Sequence, residues 1–499
     1  MPQAIRLSGS TTRTGSIRGA LVLGLVILAD PAAAQRDKDI QAMQQEIRAL
    51  QRQITHMNRA VNAKVDVMRK EQQAVRKSKE VRRAETGPSL GGVTFPNGRP
   101  TFTSADGNFN LGIYGRVQMD VGTYLEDDGA DLNSGWNFRR ARLGVVGNVW
   151  RDFTYSLIYD FGGSPDGIGS LYEASLGYTG IKSLNLRIGA YKPFFTLEDS
   201  ISSADLLFLE RPSIVEIARS IAAGTARMSA GGSAAGEGWF AAAYLTGPTV
   251  GVEVDDEQVG GVARVAFQPF KGENYLVHVG ASASAVFQPN QNAAGVVGVS
   301  RQTIQLRDRP ELRLDSTRFL DTGVISYENA YVGGLELAAH YRNLSLQGEY
   351  LTINIEQDRA TGLISPNLNF DGFYVQGSWI ITGESRRYNT GSAAYAAPRI
   401  AQPFSLGEGG GWGAWELVAR YSTVNLNDKD VPGRPVVQTG GARGGKQETY
   451  TVGLNWYPNQ NVRFMLNYVY GDVDRLNPAG TAQIGQSFQA LALRSQWSF

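Results

Sequence analysis

The feature that most limits how this chain can fold is a period-2 alternation of apolar and polar side chains that begins near residue 109 and recurs to the last residue. Leu111, Ile113, Val117, Met119 and Val121 oppose Arg116, Gln118 and Asp120, and Phe153, Tyr155, Leu157, Tyr159 and Phe161 oppose Thr154, Ser156 and Asp160. Val462, Phe464, Leu466, Tyr468 and Tyr470 oppose Arg463 and Asn467 in the same way. A strand produces this pattern when its two faces meet different surroundings. In a soluble sandwich the apolar face is the core. In an outer-membrane barrel it meets lipid, and the polar face lines water.

Composition narrows the choice. The 499 residues include no cysteine, which excludes a disulfide framework and a cysteine metal site. Hydrophobic residues make up 42%, and no internal run approaches the 18 apolar residues of a membrane helix, so any span must be made by strands. The 59 glycines, 21 tyrosines and 20 phenylalanines suit turn-rich strands with aromatic belts. Sixteen alternating segments, the first starting near Phe109 and the last near Ile484, predict an all-β, 16-stranded antiparallel transmembrane barrel over 109–499, their boundaries leaving fourteen or eighteen strands as alternatives. Short and long connections take turns along it; the connection 383–411 is long where a short one is due. The chain closes on Phe499, with Trp497, Leu493 and Leu491 at alternate positions, as in the assembly signal of bacterial outer-membrane barrels.

The N-terminus has other periods. Arg6, Arg13 and Arg18, an apolar run over 20–29 and Ala32-Ala33-Ala34 predict an export signal over 1–34. In 35–86, Ile40, Ile47, Ile54, Val61, Met68 and Val75 fall seven apart, with Met43, Leu50 and Met57 at the companion position. That spacing predicts a periplasmic α-helical coiled coil, without deciding between two and three strands; a lone amphipathic helix is the alternative. Residues 35–85 carry 13 Lys/Arg against 7 Asp/Glu, a face suited to an anionic polymer or lipid headgroups. Gly, Pro, Ser and Thr over 87–108 predict a linker.

Within the barrel, Leu184, Leu186, Ile188 and Ala190 alternate until Pro193 ends the strand. The next 30 or so residues, 193–223, carry Ser, Asp, Glu and Arg without sustained alternation and predict a long loop that covers the mouth or enters the lumen. Strand phase turns Arg116, Arg140, Arg142, Arg187 and Arg420 inward, beside carboxylates such as Asp120, Asp160 and Glu416. A guanidinium fork pairs two oxygens of a phosphate or carboxylate, and it pairs a neighbouring Asp or Glu as readily. The unit after residue 86 holds 27 Arg and 5 Lys yet sums to −7, so only placement can favour anions. His56, His278 and His340 are scattered, and no metal, cofactor or catalytic constellation is expected.

Several of these segments together resemble one family, the phosphate-selective porins O and P. They are YGRVQMD (114–120), NFRRARLGVVGNVWRDFTYSLIYDF (137–161), the stretch 184–211, GAWELVARYS (413–422) and TVGLNWYPNQNVRFMLNYVY (451–470). The resemblance implies a homotrimeric porin in the Gram-negative outer membrane, among lipid and lipopolysaccharide, narrowed by inward loops and lined by arginines that lead small anions to a central site. It implies pathway roles for Arg116, Arg139, Arg140, Ser202, Ser203 and Arg211, for Arg307 and Arg309 in LRDRPELR, and for Arg399. It marks Asp199 and Asn389 as standing where relatives carry lysine, and Glu311 as interrupting the arginine run, three selectivity-altering positions. The expected function is passive diffusion of small hydrophilic solutes, anions such as phosphate favoured, with no enzymatic activity and no nucleic-acid partner. The alternative is a structural tether, in which the basic coiled coil holds peptidoglycan and the pore is general.

Overall fold

In the computed structural model residues 31–86, 90–127, 129–163, 169–251, 256–291, 302–358, 364–407 and 409–499 are described. The chain divides into two units, Met1–Gly87 and Pro88–Phe499. In the first, one helix, α1, runs over Pro31–Thr86. Its heptad residues Ile47, Leu50, Ile54, Met57, Val61 and Met68 each stand more than half exposed. The expected export signal lies outside the described residues, apart from residues 31–34, which open α1.

The second unit is a closed antiparallel sheet of sixteen long strands: β1 (Asn110–Asp127), β2 (Gly135–Val149), β3 (Phe153–Asp160), β4 (Ser170–Tyr178), β5 (Leu184–Tyr191), β6 (Arg227–Gly236), β7 (Trp239–Thr249), β8 (Val259–Lys271), β9 (Tyr275–Gln288), β10 (Ile325–Tyr341), β11 (Leu344–Gln357), β12 (Leu368–Ile380), β13 (Ala414–Asp428), β14 (Ala442–Tyr457), β15 (Val462–Asp474) and β16 (Ser487–Ser498). Each pairs with the next, and β16 returns to β1 in the register Leu493↔Val121 and Ser498↔Arg116. Closure gives each of these sixteen strands a partner on both sides. The sides are inverted relative to a soluble protein: Leu335 and Leu337 are 65% and 60% exposed on the outer face, while Glu336 between them is 4% exposed inside. Only a hydrocarbon surround makes that arrangement favourable.

Short turns join strands at one end. Trp150 and Arg151 adopt φ of 47° and 64° there, left-handed values suited to a tight hairpin whose twist matches its strands. The connection 381–413, expected to be anomalous, is the long one at this end. Residues 87–108 do more than connect. Their described part forms two short strands, Leu90–Thr94 paired with Thr101–Ser104, and the latter pairs with Asn110–Gly112 of β1. The expectation of a plain linker is corrected here: Thr101, Phe102 and Thr103 extend readily and continue the ladder beside β1, which supplies backbone partners.

The barrel is not an empty tube. The connection 192–226, here the inner loop, holds the one-turn helix α2 (Leu197–Ser200) and the helix α3 (Ser213–Ala222). Ile214, Val215, Ile217, Ala218 and Ile221 of α3 are buried against inward-facing Val262, Leu351, Ile353, Phe370 and Val424. A polar lumen thus contains a hydrophobic core on one side, which leaves any water-filled path to the other.

The C-terminal residue seals the seam. Phe499 N–H donates to the Gly115 carbonyl at 3.0 Å, and a Cβ on Gly115 would lie 2.3 Å from the Phe499 ring. Gly115→Val is therefore expected to block seating of the last residue and lower the yield of SDS-resistant, heat-modifiable barrel on gels; an unchanged yield would contradict this account of closure.

Candidate functional site

A loop can lie inside a barrel only if its backbone groups find partners there. The barrel wall supplies them to the inner loop. Glu349 of β11 accepts the amides of Leu197 and Glu198 at 2.7 and 2.9 Å, and Gln118 of β1 donates to the Ser203 carbonyl at 2.9 Å. Arg463 of β15 donates to the carbonyls of Ala204 and Leu206, Asn455 of β14 to that of Leu207, and Arg420 of β13 to that of Glu210. Arg494 of β16 donates to the Leu209 carbonyl. Arg211, from the loop itself, donates to the carbonyls of Glu198 and Ile201.

The wall charges gather on this scaffold. Glu210 receives both arms of Arg139 at 2.7 and 3.0 Å, Arg494 at 2.8 Å and Arg140 at 3.5 Å. Burial raises the Glu210 carboxyl, but Arg139, Arg140 and Arg494 together hold it well below the usual carboxylate range. Arg116 donates to Ser203 at 2.7 Å and Ser202 at 3.2 Å, as the two adjacent serines turn their hydroxyls to the wall. Between loop and wall lies a cavity of about 310 Å³ lined by Arg139, Arg140, Arg142, Lys192, Arg211 and Arg219, with Ser203, Tyr172, Asp160 and Glu216. Both carboxylates there are paired, Asp160 with Arg142 at 2.7 Å and Glu216 with Arg219 at 3.2 Å. Glu216 is held down at about 2, because Arg219, Arg313 and Arg211 outweigh its burial. Toward the short-turn end, a second cavity of about 690 Å³ is bordered by Arg99, Tyr114, Arg116 and Arg187; Tyr172 lines both.

The expected residues divide. Arg116, Arg139, Arg140, Ser202, Ser203 and Arg211 meet around the inner loop. Arg309 lies in the connection between β9 and β10, where its Nε donates to the Asp315 carbonyl, while Arg307, Arg399 and Asn389 are exposed and line neither cavity. Asp199 is fully buried, 2.6 Å from Arg219 and 3.9 Å from Lys192. Glu311 binds Arg420 at 2.5 Å and accepts from Ser422 and the Ser213 amide. Sequence reasoning did not find Lys192, Glu210, Glu216, Arg219 or Glu349. A signal existed for two of them: Ile214, Ile217, Ala218 and Ile221 repeat at helical spacing, which sets Glu216 and Arg219 on the opposite face, one turn apart.

A closed strand barrel with an inward loop and a charged lumen is the setting in which comparison with known proteins decides the family. The model of the family described as phosphate-selective porin O and P matches residues 111–499. The chain belongs to that family. As a phosphate-selective porin O and P family member it is an outer-membrane porin, a non-catalytic channel protein. Porin O of Pseudomonas aeruginosa is 26% identical over 404 residues, 77% of this chain and 88% of that protein. An uncharacterized protein of Caulobacter vibrioides is 28% identical over 393 residues, 76% and 72% of the two chains. Among solved structures, the anion-selective porin from Comamonas acidovorans aligns at a TM-score of 0.48 and 12% identity, covering 78% of this chain and 100% of its own. The trimer form of OmpT from Vibrio cholerae aligns at 0.44 and 11%, covering 78% and 99%. Overlaps this loose add nothing to the family assignment.

Glu349→Ala leaves the Leu197 and Glu198 amides of this porin without an acceptor, at about 1–3 kcal/mol for each buried donor. Limited proteolysis of the folded barrel is expected to cut within 192–226 faster than in the wild type. Equal cutting rates would show that Glu349 does not hold the loop.

Proposed function

We propose that this porin passes small hydrophilic solutes by passive diffusion and favours anions of phosphate size, at a constriction built on the inner loop with the loop before β10 and the turn 381–413 beside it. The observation that carries the reading is the cavity of about 310 Å³, where six cationic side chains meet two carboxylates that are already ion-paired. Guanidinium forks suit tetrahedral oxyanions because two parallel donors reach two oxygens. Partial exclusion of water strengthens the attraction. In this reading Arg116, Arg139, Arg140, Ser202, Ser203 and Arg211 form the pathway, and Arg307 and Arg309 belong to the approach. Asp199 stands where relatives carry lysine, but Arg219 at 2.6 Å offsets its charge locally. The family description supports phosphate as the solute class.

A second reading concerns α1 and rests on its exposed seam of Ile47, Leu50, Ile54, Met57, Val61 and Met68. Apolar heptad positions are covered when helices wind together. We infer that α1 assembles with its copies as the periplasmic coiled coil of a homotrimer, its basic face toward peptidoglycan or lipopolysaccharide, with residues 1–34 removed on export. Deleting 35–85 is expected to leave conductance unchanged and to abolish sedimentation with isolated cell wall. Unchanged sedimentation would remove the tether from this reading.

The primary test is the reversal potential in a planar bilayer under a potassium chloride gradient, with phosphate then added. Anion selectivity with block by phosphate is expected; a cation-selective or neutral potential without block would overturn the proposal. The pH dependence has a definite sign. Burial, reinforced by Arg211, Arg219 and Arg142 and opposed by Asp199, lowers the Lys192 ammonium to about 7. Its positive charge is present below that pH and lost as pH rises through it. Anion selectivity is therefore expected to fall between pH 6 and 8, and Lys192→Met is expected to flatten that change.

A further inference from the structure

The lumen wall beneath the turn 381–413 includes a charged group that is costly to keep permanently buried. Its tip carries a small hairpin, Arg387–Asn389 paired with Ala394–Ala396. Under it, on inward positions of β8, β9 and β10, lie Arg264, His278 and Glu336, all with fully buried side chains. Arg264 grips Glu336 through three contacts of 2.8–3.1 Å, and His278 Nε2 lies 3.0 Å from the same carboxylate. Enclosing charges is expensive, and well-packed apolar residues usually cover a fixed interior at less cost. Elsewhere in this barrel the wall does so: α3 is met by Val262, Leu351, Ile353 and Phe370. The face under the turn instead mixes this charged group with apolar side chains, Ala393 of the tip sharing a cluster with Phe240 and Ala266 and Ala394 one with Ala338.

The way the tip is attached fits a removable cover. Arg264 donates to the Ser392 and Ala393 carbonyls at 2.7 and 2.8 Å, and the Tyr388 hydroxyl meets His278 Nδ1 at 2.7 Å. Tyr395 reaches His340, and Arg386 pairs with Glu416 at 3.1 Å. Among the described residues, 386–397 make no backbone-to-backbone hydrogen bond to a barrel strand; every polar tie to the wall runs through a side chain. Glycines flank the turn at both ends in left-handed conformations, Gly383 at φ 99° with open space around it and Gly413 at φ 69°. Glycine absorbs a change of backbone direction there without a side-chain clash.

We propose that the tip of the turn 381–413 is a hinged cover, latched by Arg264 and His278, that lifts from the wall and opens a second, polar lane of the lumen lined by Arg264, Glu336, His278 and Gln268. The closed arrangement described above is the resting state. Lifting hydrates the Arg264–Glu336 pair in place and widens the path on the side away from the arginine cavity. The device is independent of which solute the pore prefers.

The native chain has no cysteine, so a single introduced thiol reports this motion cleanly. Ala394, on the tip, is 1% exposed, and Ala218, in the core of α3, is fully buried. In the full-length folded porin, Ala394→Cys is expected to react with a small neutral methanethiosulfonate at least about tenfold faster than Ala218→Cys, because only the former sits on an element that opens locally. Adding Arg264→Gln is expected to speed labelling at 394 several-fold and leave 218 unchanged, and the labelled 394 variant is expected to conduct more because the tip cannot reseat. Equal labelling rates at 394 and 218 would overturn the proposal. So would labelling at 394 that Arg264→Gln leaves unaltered, since the latch would then play no part.

Discussion

Everything inside this barrel depends on how the backbone of the inner loop is satisfied. Peptide carbonyls in a lumen shielded from bulk water need donors, and this protein meets the need with guanidinium and amide groups from the wall. Arg463, Arg420 and Arg494 reach across to main-chain oxygens between Ala204 and Glu210, while Glu349 takes the amides of Leu197 and Glu198. This choice has an electrical consequence. A carbonyl or hydroxyl satisfies a guanidinium donor without bringing a counter-charge, as at Arg463 on two carbonyls and Arg116 on two serines. Of the side chains that fix the loop, Arg420 and Arg494 are also paired with Glu311 and with Asp120 and Glu210.

Five buried carboxylates are instead paired with arginine. Glu210, Glu311, Glu336, Glu416 and Asp120 are buried, and each has at least one arginine within 3.1 Å. The charge total of −7 for the unit after residue 86 therefore says little about the field along the path. The position of each group matters more than the count. Glu311 illustrates this: it interrupts the arginine run in the sequence, yet in the fold it anchors Arg420, Ser422 and the first amide of α3.

How legible the site was depended on whether its geometry is local. Strand phase alone turned Arg116, Arg140, Arg142, Arg187 and Arg420 inward, because the period of two is a property of the backbone. The inner loop was legible as a loop, but its helix was not recognised, although Ile214, Ile217, Ala218 and Ile221 carry the helical repeat. The wall holds a matching signal: on β11 the inward row changes from Gln347 and Glu349 to Leu351, Ile353 and Ile355 where α3 docks. Arg399, Asn389 and Arg307 went the other way. Family correspondence suggested them, but all three are exposed and line neither cavity, because loop residues are placed by tertiary contacts and not by strand phase.

The sequence by itself determined the two-faced strands of a large antiparallel barrel and the long heptad repeat of α1. Both follow from periodicity, which does not depend on distant partners. Only the tertiary structure decided which charges cancel. Arg139 meets Glu210 across 71 positions, Arg420 meets Glu311 across 109, and Arg494 meets Asp120 across 374. Such pairs form when barrel closure and loop insertion bring remote positions together, and electrostatic energy depends on that separation in space. Whether an arginine is neutralised by a carboxylate or left charged on a carbonyl is set there.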